Sequence, residues 1–271
     1  MKVKKYDGCG NTFAIIDAAT HMDLAALAPR LCEDPRLKTD GLIAVGRDPL
    51  EMRFYNRDGS FAPMCGNGIR CFAKYVRDEG HVSVETRTFD VLTGAGVLSV
   101  DIIQDDPFLC RIAMGQPIFT SEAVGLADEG PLSRTLHIDD QTVDIHALFM
   151  GTIHVVVFVK DAPAMVGSPL GKAICEHPLF EAKTNVNFVQ VVGSSELIVR
   201  TYERGVGWTL ACGTGCCASY VVAKQLGYVT ADQVDVLLEQ GKLMIAGVNE
   251  IEMTGPAVVH HTIEIDQKEL I

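Results

Sequence analysis

The chain has 271 residues, 48% of them hydrophobic, with 23 lysines and arginines against 35 aspartates and glutamates, for a net charge of −12. That apolar content excludes global disorder, and the acidic balance argues against a nucleic-acid or anionic-membrane partner, since both need a basic face. The length exceeds the ~100–200 residues of a typical single domain, so two domains are expected.

Residues 1–17 read as strand, turn, strand, with Tyr6-Asp7-Gly8-Cys9-Gly10-Asn11 supplying the turn and Thr12–Ile16 the β-prone run. The N-terminal lysines lead into this turn rather than into an apolar stretch, and no apolar run is long enough to span a bilayer. A soluble cytoplasmic protein is expected. Leu24, Leu27, Ala28 and Leu31 have helical spacing within 23–31, and Pro29 is expected to kink or break that helix. Leu42–Val45 and Met52–Tyr55 are strand candidates, with a turn at Asn56–Ser60.

Next comes Met64-Cys65-Gly66-Asn67-Gly68, leading into Ile69–Val76, whose apolar residues 69, 72, 73 and 76 repeat at i, i+3, i+4, i+7. Short β segments follow at Val82–Glu85, Phe89–Leu92, Val97–Asp101 and Leu109–Ala113. Residues 116–131 are mostly polar and turn-forming and offer the domain boundary. The second half repeats the order. Strands at Val143–Met150, His154–Val159, Val186–Val192 and Leu197–Tyr202 lead to Ala211-Cys212-Gly213-Thr214-Gly215. An apolar helix follows, closed by Gly227, and then strands at Val234–Leu238, Leu243–Ala246 and Ile251–Thr254. The expected fold class is α+β: two pseudo-symmetric domains, each a β-sheet wrapped around a central apolar helix. The expected domains are 1–116 and 117–255.

Two Cys-Gly-x-Gly units at helix starts are the chemical centre of the sequence. A thiol there faces unpaired backbone N–H groups and the positive end of the helix dipole, which favours thiolate. Inverting a stereocentre takes one acid–base group on each face of the carbon. Two such cysteines across a cleft would supply both, a thiolate base and a thiol acid. The helix N-termini could hold a substrate carboxylate. The remaining cysteines (9, 32, 71, 110, 175, 216, 217) read as buried hydrophobes, and without a Cys-x-x-Cys pair a structural zinc site is not expected. Histidines 21, 81, 137, 146, 177, 260 and 261 read as structural or solvated.

Gly10-Asn11-x-Phe13, Asn56-x-Asp58-Gly59-Ser60, Met64–Ala73, Asn185-Val186-x-Phe188, Tyr202–Gly215 and Met253-Thr254-Gly255 together resemble the diaminopimelate epimerase family over nearly the whole chain. The resemblance implies an isomerase that interconverts LL- and meso-diaminopimelate without pyridoxal phosphate, another cofactor or a metal. Its partner is a small amino-acid substrate, and a homodimer is compatible with it. The resemblance also implies that the tail, 256–271, returns to the first domain. It implies that Cys65 and Cys212 are the acid–base pair, with His154 and Glu203 tuning them. Asn11, Asn56, Gly66, Asn67, Asn185, Glu203, Arg204, Gly213 and Thr214 would bind substrate. The chain departs from the family pattern at Gly41 (for glutamine), at Thr152 and Ile153 (for Asn-Pro before His154) and at Trp208 (for glutamate). The first two remove polar substrate contacts, and Trp208 would narrow the cleft. A second reading is another cofactor-independent racemase of this fold, for histidine or an opine pathway. A third is a non-enzymatic thiol protein serving redox or metal binding.

Overall fold

The structure, a computed structural model, describes residues 1–17 and 22–266. His21 and the last five residues of the 256–271 stretch lie outside it. The chain forms two compact units, Met1–Ile112 with the segment from Thr254 onward, and Ala113–Met253.

In unit 1, β1 (Lys2–Gly8) and β2 (Asn11–Asp17) form a hairpin, and α1 (Leu24–Glu33) crosses to β3 (Gly41–Arg47), parallel to β2. Strand β4 (Leu50–Asn56) lies antiparallel to β3, and β5 (Phe61–Ala62) leads into α2 (Gly66–Asp78). The meander β6 (Thr88–Thr93), β7 (Gly96–Asp105), β8 (Phe108–Gly115) follows, with β6 parallel to β4. Helix α2 packs against β1 to β4, while α1 packs against β2, β3 and β4. Side chains alternate accordingly. Ala14, Ile16, Leu42 and Ala44 join Leu24, Leu27, Ala28 and Leu31 of α1 in one core cluster. The intervening positions, such as Ile43 near Gly68, face α2. Helices cover both faces of β2 and β3, which is why these strands read as nearly unbroken apolar runs.

Unit 2 opens with α3 (Ser121–Val124), β9 (Ser133–Ile138), β10 (Gln141–Phe149) and β11 (Ile153–Phe158). Helix α4 (Leu170–Cys175) crosses to β12 (Asn185–Gly193), parallel to β11. Then come β13 (Glu196–Glu203), β14 (Gly207–Thr209), α5 (Gly213–Gln225), β15 (Gln233–Leu237) and β16 (Lys242–Ala246). The pairings of β10 to β16 match those of β1 to β7 one for one: antiparallel, parallel across the crossover helix, antiparallel, antiparallel, parallel after the central helix, and antiparallel again. Helix α5 packs against β10 to β13, β15 and β16. The chain leaves through β17 (Ile251–Pro256) into β18 (Val258–Glu264), which pairs antiparallel with β1.

Three expectations need correction. Pro29 sits inside α1 without ending it. It forfeits one N–H, and the Ala25 carbonyl it would have used lies against Gly59, where a Cβ would overlap it. Val82–Glu85 is not a strand, because the Ser83 and Thr86 carbonyls accept from the Arg77 guanidinium. The 116–131 stretch contains the short helix α3. Strands β9 and β18 and helix α4 were not expected. Among the described residues no helix is long and apolar enough to cross a membrane.

Candidate active site

Both proposed acid–base residues occupy the same local position. Cys65 and Cys212 are the N-caps of α2 and α5, each with extended backbone (φ −140° and −130°). The Gly68 N–H donates to Cys65 Sγ at 3.4 Å. Cys212 Sγ lies 3.5 Å from the Thr214 hydroxyl, and its residue is only 6% exposed, whereas Cys65 is half-buried. All nine cysteines are free thiols, and seven besides Cys65 and Cys212 are buried.

In unit 2 strand alternation gathers the polar groups. Ile153, Val155, Val157, Val186 and Phe188 point into the core under α4. Their neighbours His154, Asn185 and Asn187 therefore point to the α5 side, and Thr201 and Glu203 of β13 join them there. Asn187 is the hub. Its Nδ2 donates to His154 Nδ1 (3.1 Å) and to the Val155 carbonyl (3.0 Å), and its Oδ1 accepts from Thr201 Oγ1 (3.0 Å). The amide can only donate to Nδ1, which assigns the His154 proton to Nε2. Nε2 is buried without a partner, and burial, aided by the Arg204 charge, pushes the imidazole pKa down to about 3. His154 is neutral.

Asn187 also explains Gly215, where a Cβ would overlap Asn187 Oδ1 and lie 3.2 Å from Cys212 Sγ. Because three hydrogen bonds hold Asn187, it cannot swing aside cheaply. Gly215→Ala should cost about 1–3 kcal/mol of stability, the usual penalty for overpacking. Urea denaturation of Gly215→Ala and of Gly215→Ala with Asn187→Ser tests this: the second change should relieve the first, and additive losses would refute the overlap.

Glu203 is hydrogen-bonded to the Thr209 hydroxyl at 2.6 Å and to Cys212. Burial raises its carboxyl above the ordinary glutamate value, and those two hydrogen bonds only partly offset it. The helix start was expected to favour a thiolate at Cys212, and its surroundings work in the opposite direction. Burial, then the Glu203 carboxylate, drives its thiol well above the usual range, outweighing the Thr214 hydroxyl and the Gly215 N–H. A helix dipole contributes typically 0.3–1 kcal/mol, less than full desolvation of a thiolate costs. Burial and the Glu203 charge both favour the thiol form of Cys212.

Glu203 and Arg204 are not paired with each other. The Arg204 backbone N–H donates to Asn185 Oδ1 (2.8 Å), and its guanidinium reaches the Ala182 carbonyl (2.8 Å) and the Thr152 hydroxyl (3.4 Å). Thr152 thus supports the arginine. Trp208 does not face the ligand side as expected. It packs on Phe188 and Tyr202, with ring centroids 5.6 and 5.7 Å apart, over the core under α4.

In unit 1, Asn67 is buried at the start of α2 and its Nδ2 lies 3.4 Å from Asn11 Oδ1. Asn56 closes its own turn through Ser60. At Gly41 a Cβ would overlap the Phe54 ring and lie 2.9 Å from the Tyr55 carbonyl, so no larger side chain fits there. Sequence reasoning missed Asn187, Thr201 and Thr209. The available signal was polar residues at alternate positions of otherwise apolar strands. Among the described residues no group of three or more His, Cys, Asp and Glu side chains could hold a metal ion. An open cavity of about 770 Å³ lies on unit 2 against Arg134, His146, Phe158 and Tyr228, away from every expected site residue.

Among solved structures, the chain superposes on a Bacillus anthracis phenazine biosynthesis protein of the PhzF family with a TM-score of 0.74, at 15% identity, covering 98% of both chains. It superposes on a probable proline racemase from Agrobacterium radiobacter K84 with a TM-score of 0.73, at 12% identity, covering 98% of this chain and 92% of that one. Two units built around cysteine-capped helices therefore carry the fold of the racemase and PhzF-type proteins. Closer in sequence, the family model for diaminopimelate epimerase matches residues 3–120 and 146–260. A diaminopimelate epimerase from Desulfitobacterium hafniense is 41% identical over 270 residues, 95% of each chain. The chain belongs to the diaminopimelate epimerase family.

Proposed function

We propose that the protein is an epimerase that interconverts LL- and meso-diaminopimelate, with Cys65 and Cys212 as its two acid–base groups. One thiolate takes the α-proton, leaving a carbanion delocalised into the carboxylate. The other thiol delivers its proton to the opposite face, so the configuration inverts and each sulfur ends in the other's starting state. The reaction balances with no oxidant or reductant. Cys212, whose burial beside Glu203 favours the thiol form, suits the donor role in the resting protein. The paired N-capping cysteines carry this reading, and the 41% identical diaminopimelate epimerase from Desulfitobacterium hafniense supports it. The first turns of α2 and α5, at Gly66-Asn67 and Gly213-Thr214, would bind the carboxylate at the reacting carbon. Arg204, Asn185, Asn56 and Asn11 would bind the distal head. Nine free thiols fit a reducing, cytoplasmic setting.

Arg204 is the test of substrate class. Its guanidinium is exposed, though positioned by Ala182 and Thr152, and a second amino-acid head carries the carboxylate it would meet. Diaminopimelate should be epimerised with a higher kcat/KM than any single-headed amino acid. Arg204→Ala should lower that value by about 1.5–3 kcal/mol, the worth of a charge-assisted hydrogen bond. A better single-headed substrate, histidine included, with Arg204→Ala harmless on it, would shift the reading to another racemase of this fold.

A further inference from the structure

The residue that organises the first turn of α2 lies one turn further along. Arg70 is fully buried. Helical side chains lean toward the N-terminus, and Arg70 folds back in that direction. Its Nη1 donates to the Gly66 carbonyl (2.9 Å) and to Asn67 Oδ1 (3.2 Å), its Nε to the Pro256 carbonyl (3.1 Å), and its Nη2 lies 3.7 Å from Cys9 Sγ. A guanidinium stays charged at any working pH. A whole positive charge therefore stands beside the turn whose N–H groups carry only partial charge.

From Arg70 a chain of amides runs outward. Asn67 Nδ2 lies 3.4 Å from Asn11 Oδ1, and Asn11 Nδ2 donates to Asp40 Oδ2 at 2.9 Å. The Thr12 N–H (2.7 Å) and hydroxyl (3.2 Å) anchor the same carboxylate oxygen. The two ends fix the polarity. Arginine only donates, so Asn67 must offer it oxygen. An ionised aspartate only accepts, so Asn11 must offer it nitrogen. The middle contact then has to be N–H to oxygen, as observed. One amide hydrogen of Asn11 is left to meet a ligand oxygen.

We propose that Arg70 and Asp40 are positioning residues for this site: together they fix which way the amides of Asn67 and Asn11 point, and Arg70 adds the charge that favours anions, the Cys65 thiolate among them, at the α2 turn. This rests on the assignment of Cys65, Asn11 and Asn67 to the substrate site.

Cys65 itself reports on the charge. Its alkylation by anionic iodoacetate and by neutral iodoacetamide is followed by peptide mapping across pH, on the full chain. Arg70→Gln should lower the iodoacetate-to-iodoacetamide rate ratio about 3–10-fold and raise the pH midpoint of Cys65 alkylation by about one unit. Arg70→Lys, which keeps the charge but loses the planar fork, should keep ratio and midpoint while weakening substrate binding. Asp40→Ala removes the acceptor oxygen on which Asn11 Nδ2, the Thr12 N–H and the Thr12 hydroxyl converge, at an exposed position where water can take its place. It should leave Cys65 alkylation unchanged and raise KM for diaminopimelate about tenfold, the size of one hydrogen bond to a charged group, with a smaller effect on kcat. Folded Arg70→Gln with an unchanged ratio and midpoint overturns the charge role, and an unchanged KM in Asp40→Ala overturns the amide role. If Arg70→Gln does not fold, the similarly sized, uncharged Arg70→Met takes its place in the alkylation test, and Asp40→Ala decides the amide role. If the wild-type protein turns over no amino acid, the epimerase reading has failed. The alkylation ratio still decides the charge role, and half-protection of Cys65 from iodoacetamide by diaminopimelate replaces KM.

Discussion

Cys65→Ser and Cys212→Ser should each lose a factor of about 10²–10⁴ or more in epimerisation, roughly 3–5 kcal/mol of barrier, the usual contribution of one positioned acid–base group. A serine hydroxyl is too weak an acid to serve either role near neutral pH. The two-thiol proposal also predicts an isotope pattern. The sulfur that removes the α-hydrogen is not the one that delivers its replacement. Early in a reaction in D₂O, the newly formed epimer should carry deuterium at the inverted carbon while unreacted substrate keeps protium. Equal deuteration of substrate and product from the first turnover, or near-full activity in either serine variant, would remove one of the thiols from the mechanism.

The second large effect is on stability and follows from His154. Its folded pKa of about 3 lies below the ordinary histidine value of 6.5. Between these values the unfolded chain binds a proton that the folded protein refuses. Stability from this residue is fully present above about pH 6.5 and is lost as pH falls toward 3. The full shift corresponds to several kcal/mol, on the order of 4–5 at the low end of the window. His154→Gln removes the titration and isolates it from the carboxylates. Denaturant unfolding of both proteins at intervals from pH 7 to pH 3.5 should show the wild type losing more than the variant. Parallel curves would mean that His154 takes up its proton freely.

Much of the architecture was legible in the sequence because its signals are local. The helical spacing of Ile69, Phe72, Ala73 and Val76 behind a Gly-rich turn marks α2, and the same grammar recurs at Cys212. The neighbourhood of each thiol was less legible. His154, Asn187 and Thr201 lie on strands covered on both faces, where apolar runs hide the two-residue alternation that sorts side chains between α4 and α5. The helix dipole favours a thiolate at both cysteines, but at Cys212 burial, and then the charge of Glu203 arriving from β13, push the other way. Trp208 looked like a wall for a ligand; Gly171 and Tyr202 offer it a place in the core instead. Strand β18 escaped notice because it is exposed on both faces over most of its length, so burial imposes no pattern on Val258–Thr262.

That strand also bears on how the protein is made. Strand β1 pairs with β18 from Lys2 opposite Glu264 to Asp7 opposite Val258, so during synthesis β1 waits for a partner strand that follows the whole of unit 2. Unit 2 is continuous in sequence and can close as soon as Met253 has emerged. Unit 1, although begun first, stays open along one edge of β1 while about 150 further residues are translated, on the order of ten seconds at ordinary elongation rates. Through that interval β1 offers unpaired backbone groups to any passing strand. The alternating lysines of Lys2-Val3-Lys4-Lys5 guard that edge with charge. Nascent chains stalled just short of residue 258 should therefore be the most prone to aggregate, and neutralising those lysines should make them worse.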